Sequence, residues 1–240
     1  MEPAMRWITA SSPLIRFLLP RHCLLCGATT ARNALLCAGC DAELPRNTIA
    51  CRQCGLPLPA LRERCGHCLK NPPHVDRSVI PLHYAEPVDR LIKDFKFQAR
   101  FPAGQALAEL LADTLLTRHD AKPEWIVPVP LHRQRLRERG FNQALELSRW
   151  LSRRLGIPVA AEACRRRRAT AVQSRLDAGE RRRNIRHAFA THRLPKAGHL
   201  ALVDDVVTTG HTVNELARVL KRAGVATVEV WAVARAARPG

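Results

Sequence analysis

Apolar and polar residues follow two rhythms along the 240 positions of this chain. Ser78 to Tyr84 alternates with period two, as a strand does. Pro87 then opens a helix whose apolar face is Leu91, Ile92 and Phe95. Lys93 and Lys96 fall between those positions and are expected to face solvent. Ala103 to Thr117 reads as a second helix through Leu107, Leu110, Leu111 and Leu115, and Phe141 to Leu155 as a third. Trp125 to Val129 is a short apolar run of the kind buried on both faces of a sheet. Ile157 to Ala161, Leu200 to Val203 and Val225 to Val233 read as strands. Ala178 to Arg186 reads as a charged helix and Val213 to Arg222 as an amphipathic one. Strands alternating with helices predict an α/β fold, a parallel sheet with helices on both faces. Ligands of such sheets lie at the carboxyl ends of strands, where Pro128 and Asp204 fall.

The region before this pattern is organised by cysteine. Eight of nine cysteines form four Cys-x-x-Cys pairs, Cys23/Cys26, Cys37/Cys40, Cys51/Cys54 and Cys65/Cys68, each beginning 14 residues after the last. The ten residues between pairs suffice for a strand, a turn and a returning strand, which brings two knuckles around one tetrahedral ion. Gly27 and Gly55 follow the second cysteine of the first and third pairs, where the backbone turns its N–H groups toward sulfur. Structural zinc is the expected ligand. Two ribbons, 23/26/37/40 and 51/54/65/68, are the simplest pairing, and a cross-braced pairing has the same ligand count. His67 is read as a bystander. The ninth, Cys164, precedes a run of four arginines and is either a reactive thiol or a residue ending a strand. Asn71-Pro72-Pro73 breaks the chain. The expected organisation is a segment 1–20 forming a short helix with an apolar face, a double zinc-ribbon domain over 21–72, and an α/β domain over 76–240.

Apolar content of 46% is that of a globular protein, and no stretch of eighteen apolar residues occurs. The first twenty residues show no cleavage site after an apolar core, so the expectation is a soluble, cytoplasmic chain that does not span a membrane. The charge is uneven. A net +18 is concentrated at Arg165–Arg186, nine arginines against Asp177 and Glu180, and at Arg133–Arg139, four arginines against Glu138. Both segments suit an anionic ligand, a polyphosphate or a nucleic-acid backbone.

The candidate chemistry lies in residues 201–212, Ala-Leu-Val-Asp-Asp-Val-Val-Thr-Thr-Gly-His-Thr. An apolar strand meets two carboxylates, then a turn of hydroxyls and one glycine before a helix. Such a turn directs backbone N–H groups at one phosphate. Thr208, Thr209 and Thr212 add hydroxyls around Gly210 and His211, and Asp204 and Asp205 are placed to accept from sugar hydroxyls or to hold Mg²⁺. A second string, Val127-Pro-Val-Pro-Leu-His-Arg133, continues to Arg-Gly-Phe-Asn-Gln143. Its prolines stop the strand, and Pro130, Leu131, His132 and Arg133 follow where a diphosphate would be clamped. Arg135, Arg137 and Arg139, spaced by two, are expected on a loop with alternating sides, and Phe141 is expected to stack on a base.

The acidic-threonine string resembles the loop of type I phosphoribosyltransferases that binds 5-phosphoribosyl-1-pyrophosphate (PRPP). With the cysteine knuckles, the Leu91-Ile-Lys-Asp-Phe-Lys96 segment and the Val127–Gln143 string, nearly the whole chain resembles the ComF/GntX family of phosphoribosyltransferase-like proteins, linked to uptake of transforming DNA. The resemblance implies a type I phosphoribosyltransferase-like sheet behind the zinc ribbons. It places the PRPP ribose and Mg²⁺ at Asp204 and Asp205, the 5-phosphate at Thr208 to Thr212, and pyrophosphate at Pro130 to Arg133. A mobile loop is implied around Arg168, Thr170 and Gln173, with Arg182, Arg183, Asn184 and Phe189 beyond it. The implied activity is transfer of the phosphoribosyl group to an unspecified nucleophile, in support of DNA uptake or related nucleotide metabolism. The rival implication is a non-catalytic competence factor that binds single-stranded DNA and other DNA-uptake proteins and keeps a regulatory or vestigial PRPP site.

Overall fold

The computed structural model describes residues 21–30, 34–60, 62–167 and 187–237. The expected N-terminal helix, the charged helix near 178–186 and the loop residues Arg168, Thr170, Gln173, Arg182, Arg183 and Asn184 lie outside them. Two compact units divide the chain between Leu44 and Pro45, so the expected ribbon region 21–72 is shared between them.

In the first unit β1 (Arg21–His22) pairs antiparallel with β2 (Thr29–Thr30), and a single helical turn, α1 (Ala38–Ala42), follows. The second unit contains the remaining elements in the order α2 (Gly66–Lys70), β3 (Arg77–Val79), β4 (Leu82–His83), α3 (Val88–Gln98), α4 (Phe101–Leu116), β5 (Trp125–Pro128), α5 (Arg133–Arg139), α6 (Gln143–Leu155), β6 (Cys164–Arg166), β7 (Phe189–Thr191), β8 (His199–Val207), α7 (His211–Arg222) and β9 (Thr227–Arg235). The five-stranded sheet is parallel throughout, in the order β3-β9-β8-β5, with β4 continuing beyond β3 on the same edge of β9. The run expected as a strand at Ile157–Ala161 contributes one parallel bridge, Val159 to Ile126, at the other edge. The single strand expected over Ser78–Tyr84 is instead two short ones, interrupted at Ile80–Pro81. Proline has no N–H for the ladder, which accounts for the break. β6 and β7 form a separate antiparallel pair.

The two central strands are buried on both faces, as parallel strands covered by helices must be. Leu200 and Leu202 of β8 and Val228 and Val230 of β9 pack with Val213, Leu216, Ala217 and Leu220 of α7. Alternate residues, Ala201, Val203, Trp231 and Val233, are equally buried and face the helices of the opposite layer, where α4 packs on β9 and on α6. On that side Arg118, just after α4, donates two hydrogen bonds to the buried Glu229, at 2.8 and 3.0 Å. Trp231 Nε1 donates to the same carboxylate at 3.0 Å.

The second cysteine region is joined to the sheet by the backbone of its first knuckle. The Arg52 carbonyl accepts from Ser78 N at 2.7 Å, the Gln53 carbonyl from Ser78 Oγ at 2.8 Å, and the Gly55 carbonyl from Asn47 Nδ2 at 3.0 Å. Gln53 in turn donates to Val75 O at 3.1 Å. Gly55 has φ +67°, and a Cβ there would lie 2.5 Å from Ile80 Cδ1. Close packing on the sheet edge therefore requires glycine at this position. Gly55→Ala should destabilise the second unit by about 2 kcal/mol, from the left-handed backbone and the forced movement of Ile80. A urea unfolding midpoint unchanged within error would contradict this packing.

Candidate functional site

The cysteines gather as sequential ribbons. Cys23, Cys26, Cys37 and Cys40 form one group and Cys51, Cys54, Cys65 and Cys68 the other, with all Sγ atoms of a group within 4.8 Å of one another. This resolves the alternatives in favour of neighbouring pairs over cross-bracing. Cys26 and Cys37 Sγ are 3.7 Å apart and Cys54 and Cys65 Sγ 3.8 Å. Such separations are too long for disulfides, and they match the edge of about 3.8 Å of a tetrahedron with Zn–S bonds of about 2.3 Å. Cys37 and Cys65 also cap the short helices α1 and α2, their sulfurs accepting from Cys40 N and Cys68 N at 3.4 Å. Cys51 Sγ accepts from Cys65 N at 3.3 Å.

These N–H groups favour thiolate. Burial pushes Cys51 up, but the amides of Cys65, Cys54 and Gln53 outweigh it and bring the thiol to about 7. Cys54 is pushed up to about 11 by burial and by the negative charge of Cys51. A cluster that forms its first thiolate readily and resists the next is one that a divalent cation completes. Every ligand position is a sulfur, so the donor set fits structural zinc and leaves no position open for a reaction. His67 lies outside the cluster. Cys164 is buried, and burial raises its thiol to about 12, so it is a packing residue at the start of β6 rather than a reactive one.

At the opposite end of the chemistry, β8 carries Asp204 and Asp205 near its carboxyl end. The strand runs on to Val207, longer than the sequence pattern indicated. Successive strand residues point to opposite faces. Asp205 accordingly faces the α3 layer, where it is buried and forms an ion pair with Lys96 Nζ. Lys96 is therefore not the solvent-facing lysine that its place between apolar helix positions implied. Asp204 accepts from the amide of Asp205 at 2.9 Å. Burial, reinforced by the neighbouring carboxylate, holds Asp204 well above the usual range. Burial opposes ionisation of Asp205 too, but Lys96 outweighs it and holds Asp205 below that range. One acid of the pair is thus poised to keep a proton until a cation arrives.

The loop after β8 places Thr208 in solvent and Thr209, Gly210, His211 and Thr212 in partly covered positions. Gly210 has φ +78° and caps α7 without a side-chain hydrogen bond, so α7 starts directly from the loop. Thr209 Oγ1 and His211 Nδ1 are 3.2 Å apart. The Val-Pro-Val-Pro string leaves β5 at this same end of the sheet, since Pro128 pairs with Val203 and Val129 N donates to Val203 O at 2.9 Å. Pro130, Leu131 and His132 are partly covered and Arg133 is exposed.

Residues 133–139, expected as a loop, form α5 instead, because His132 Nδ1 caps the Gln134 amide at 3.3 Å and Gly140 closes the end with φ +81°. A helix places residues four apart on one face. Arg135 and Arg139 are the partly covered pair, while Arg133 and Arg137 are exposed. Burial lowers Arg139, and the charges of Asp205 and Asp204 counter it, so this guanidinium lies within their field. Arg166 of β6 is likewise lowered by burial and by Arg135 and raised by Asp204. Lys96, Arg139 and Arg166 thus face the acid pair from three elements, with Arg135 next to the two arginines.

Phe141, the expected stacking residue, packs against Phe95 and Phe101 at 5.3 and 5.2 Å between ring centroids. The free ring is Phe97, 73% exposed, with the Arg139 guanidinium 5.4 Å from its centroid. Asn142 ties the neighbouring segments together: its Oδ1 caps the Ala144 amide at 3.0 Å and its Nδ2 donates to Val129 O at 3.2 Å.

Among the described residues no helix is long and apolar enough to cross a membrane. Residues 14–69 match the double zinc ribbon domain family. The chain is 43% identical over 182 residues to competence protein F of Haemophilus influenzae, covering 72% of this chain and 79% of that protein. It is 43% identical over 175 residues to DNA utilization protein YhgH of Escherichia coli K12, covering 71% and 77%. The same identity holds over 176 residues of YhgH from Salmonella typhimurium.

Two measurements check this geometry. Freshly isolated protein should carry two zinc ions per chain by elemental analysis, and one or none would contradict the paired thiol clusters. Asp204→Asn should stabilise the ligand-free protein at neutral pH by about 1 kcal/mol, because a carboxyl whose folded-state pKa is raised costs stability at any pH above its unfolded value, and the amide does not. A lowered melting temperature for this variant would show that the Asp204 carboxylate contributes to the fold instead of straining it.

Proposed function

We propose, from the premise that this chain belongs to the ComF family of competence protein F, that Asp204, Asp205 and the Thr208–Thr212 loop form a site for PRPP carried with Mg²⁺. One observation carries the reading. The acid pair sits at the carboxyl end of a central parallel strand, with cations gathered around it and the glycine-started helix α7 directly after it. An activated pentose needs all three parts in that order: acceptors for ring hydroxyls, cations for a diphosphate, and amides for a terminal phosphate.

In this reading the 5-phosphate lies against the amides and hydroxyls of Thr208 to Thr212, and the ribose hydroxyls donate to Asp204 and Asp205. Pyrophosphate lies by Pro130 to Arg133, with Arg135, Arg139 and Arg166 supplying further positive charge. Mg²⁺ supplies charge neutralisation on the diphosphate when bound. As pyrophosphate departs the sugar gains cationic character. Fixed cations on the leaving group and exact placement of the anomeric carbon are what this chain would contribute. The relatives are named for competence and for DNA utilization, and a role for this chain in either is part of the proposal.

A second reading rests on Phe97. An exposed ring with the Arg139 guanidinium against it, from a helix that also exposes Arg133 and Arg137, suits a base and backbone of single-stranded DNA. The chain would then bind DNA next to the PRPP site, with affinity falling steeply with salt.

Calorimetry of PRPP with Mg²⁺ tests the first reading, run beside incubation with a panel of bases and measurement of released pyrophosphate. The wild type should bind, and the Asp204→Asn/Asp205→Asn variant should lose roughly a hundredfold in affinity or more. Binding should also weaken as pH falls, since a proton on the raised Asp204 carboxyl competes with the metal. A wild type that neither binds PRPP nor releases pyrophosphate rules the site out. For the second reading, Phe97→Ala should weaken single-stranded DNA by about tenfold. Unchanged affinity would leave Phe97 without that role.

A further inference from the structure

We propose that Arg235 is a positioning residue through which the second thiol cluster, closed on its metal, sets the orientation of the backbone amides in the threonine loop. Arg235 ends β9 and is 1% exposed. Its Nε donates to the Cys54 carbonyl at 3.1 Å. Its Nη1 donates to the Val207 carbonyl at 2.9 Å and the Ala236 carbonyl at 2.8 Å, and also to the Thr208 carbonyl. One guanidinium therefore holds the knuckle that supplies two sulfurs of the cluster and the two peptide units that open the loop.

The consequence follows from the planarity of the peptide. In a trans peptide the N–H points opposite to the C=O across the same plane. Fixing the Val207 carbonyl on Arg235 fixes the Thr208 N–H on the far side, and fixing the Thr208 carbonyl does the same for the Thr209 N–H. Carbonyls drawn inward to the guanidinium leave amides turned outward, as a phosphate requires. The Ala236 amide donates to Val207 O at 3.0 Å and locks the same carbonyl from a second direction.

The other end of the clamp is equally constrained. With Cys54 included, every carbonyl from Arg52 to Gly55 accepts a hydrogen bond from the sheet, from Asn47 or from Arg235. The knuckle can move only as a block. Cys51 and Cys54, which bracket it, belong to a cluster whose sulfurs repel one another as thiolates unless a cation holds them. Loss of metal would release Cys54, loosen its carbonyl from Arg235 and let the guanidinium leave the Val207 and Thr208 carbonyls. Lysine cannot replace this arrangement, since a single ammonium lacks the planar fork that spans both segments.

The identity of the loop ligand rests on the PRPP reading above, whereas the coupling does not, and the test separates them. The full-length zinc-loaded protein is compared with Arg235→Lys, Cys68→Ser and the double variant by amide hydrogen exchange and PRPP–Mg²⁺ affinity. The reporters are the amides of Ala236 and Asn214, which donate to Val207 O and Gly210 O. Each single variant should speed exchange at both amides and weaken PRPP by about tenfold, the effect expected for losing a charge-assisted hydrogen bond. In the Arg235→Lys background, Cys68→Ser should add nothing further. Equal effects of Cys68→Ser with and without Arg235, or unchanged exchange in Arg235→Lys, overturn the proposal. Should Cys68→Ser not fold, chelator-driven zinc loss from folded wild type and Arg235→Lys replaces it. Exchange should then rise with zinc loss in the wild type alone, and a rise in both proteins overturns the proposal. A wild type without PRPP affinity ends the ligand reading, and the exchange data still decide the coupling.

Discussion

Two carboxylates side by side at the covered end of a parallel strand repel each other, and neither is well solvated. The molecule meets this constraint by setting Lys96 against Asp205 and leaving Asp204 protonation-prone. Most of the surrounding architecture serves that arrangement. α3 is placed so that its last turn reaches the strand, α5 brings Arg139 into the field of the acids, and β6 brings Arg166. A structural acid pair is more simply replaced by apolar residues. An acid pair held within a shell of cations is the arrangement on which the proposed polyanion site rests.

Metal and sheet divide the work of stability. The ribbons have too little apolar surface to fold on their own, so tetrahedral sulfur coordination replaces a core there. The α/β unit has a large core, with Leu200, Leu202, Val228 and Val230 on one side and Trp231 and Val233 on the other. The second ribbon draws on both. Its sulfurs are tied to each other and its knuckle backbone to the sheet edge, with Gly55 fitted against Ile80.

Much of this was legible in the residues. A fourteen-residue cysteine period has few meanings and called for eight thiolates around metal, but only the fold chose neighbouring pairs over cross-bracing. The strand-acid-threonine-helix string placed α7 and the start of β8 closely, because a buried parallel strand and an amphipathic helix leave different hydrophobic signatures, while β8 runs past its expected end at Val203 to Val207. What failed was anything set by contacts between distant segments. Lys96 reads as a surface residue until the strand it touches is placed beside its helix. The arginines at 133–139 read as a loop because charge gives no periodicity, and the caps at His132 and Gly140 decided otherwise. Phe141 and Phe97 exchanged roles for the same reason, since burial depends on which helices meet. Arg235 carries no local sequence signal at all. It is one arginine near the end of an apolar strand, and only the fold brings Cys54 and Thr208 to it.

The central claim is that the acid pair and the threonine loop hold one ligand between them. A crystal structure of the zinc-loaded protein soaked with PRPP and Mg²⁺ tests it most directly. We expect density for the 5-phosphate against the amides of Thr208 to Thr212 and for the ribose hydroxyls on Asp204 and Asp205. Density elsewhere, or a site that stays empty at saturating ligand, would contradict the claim.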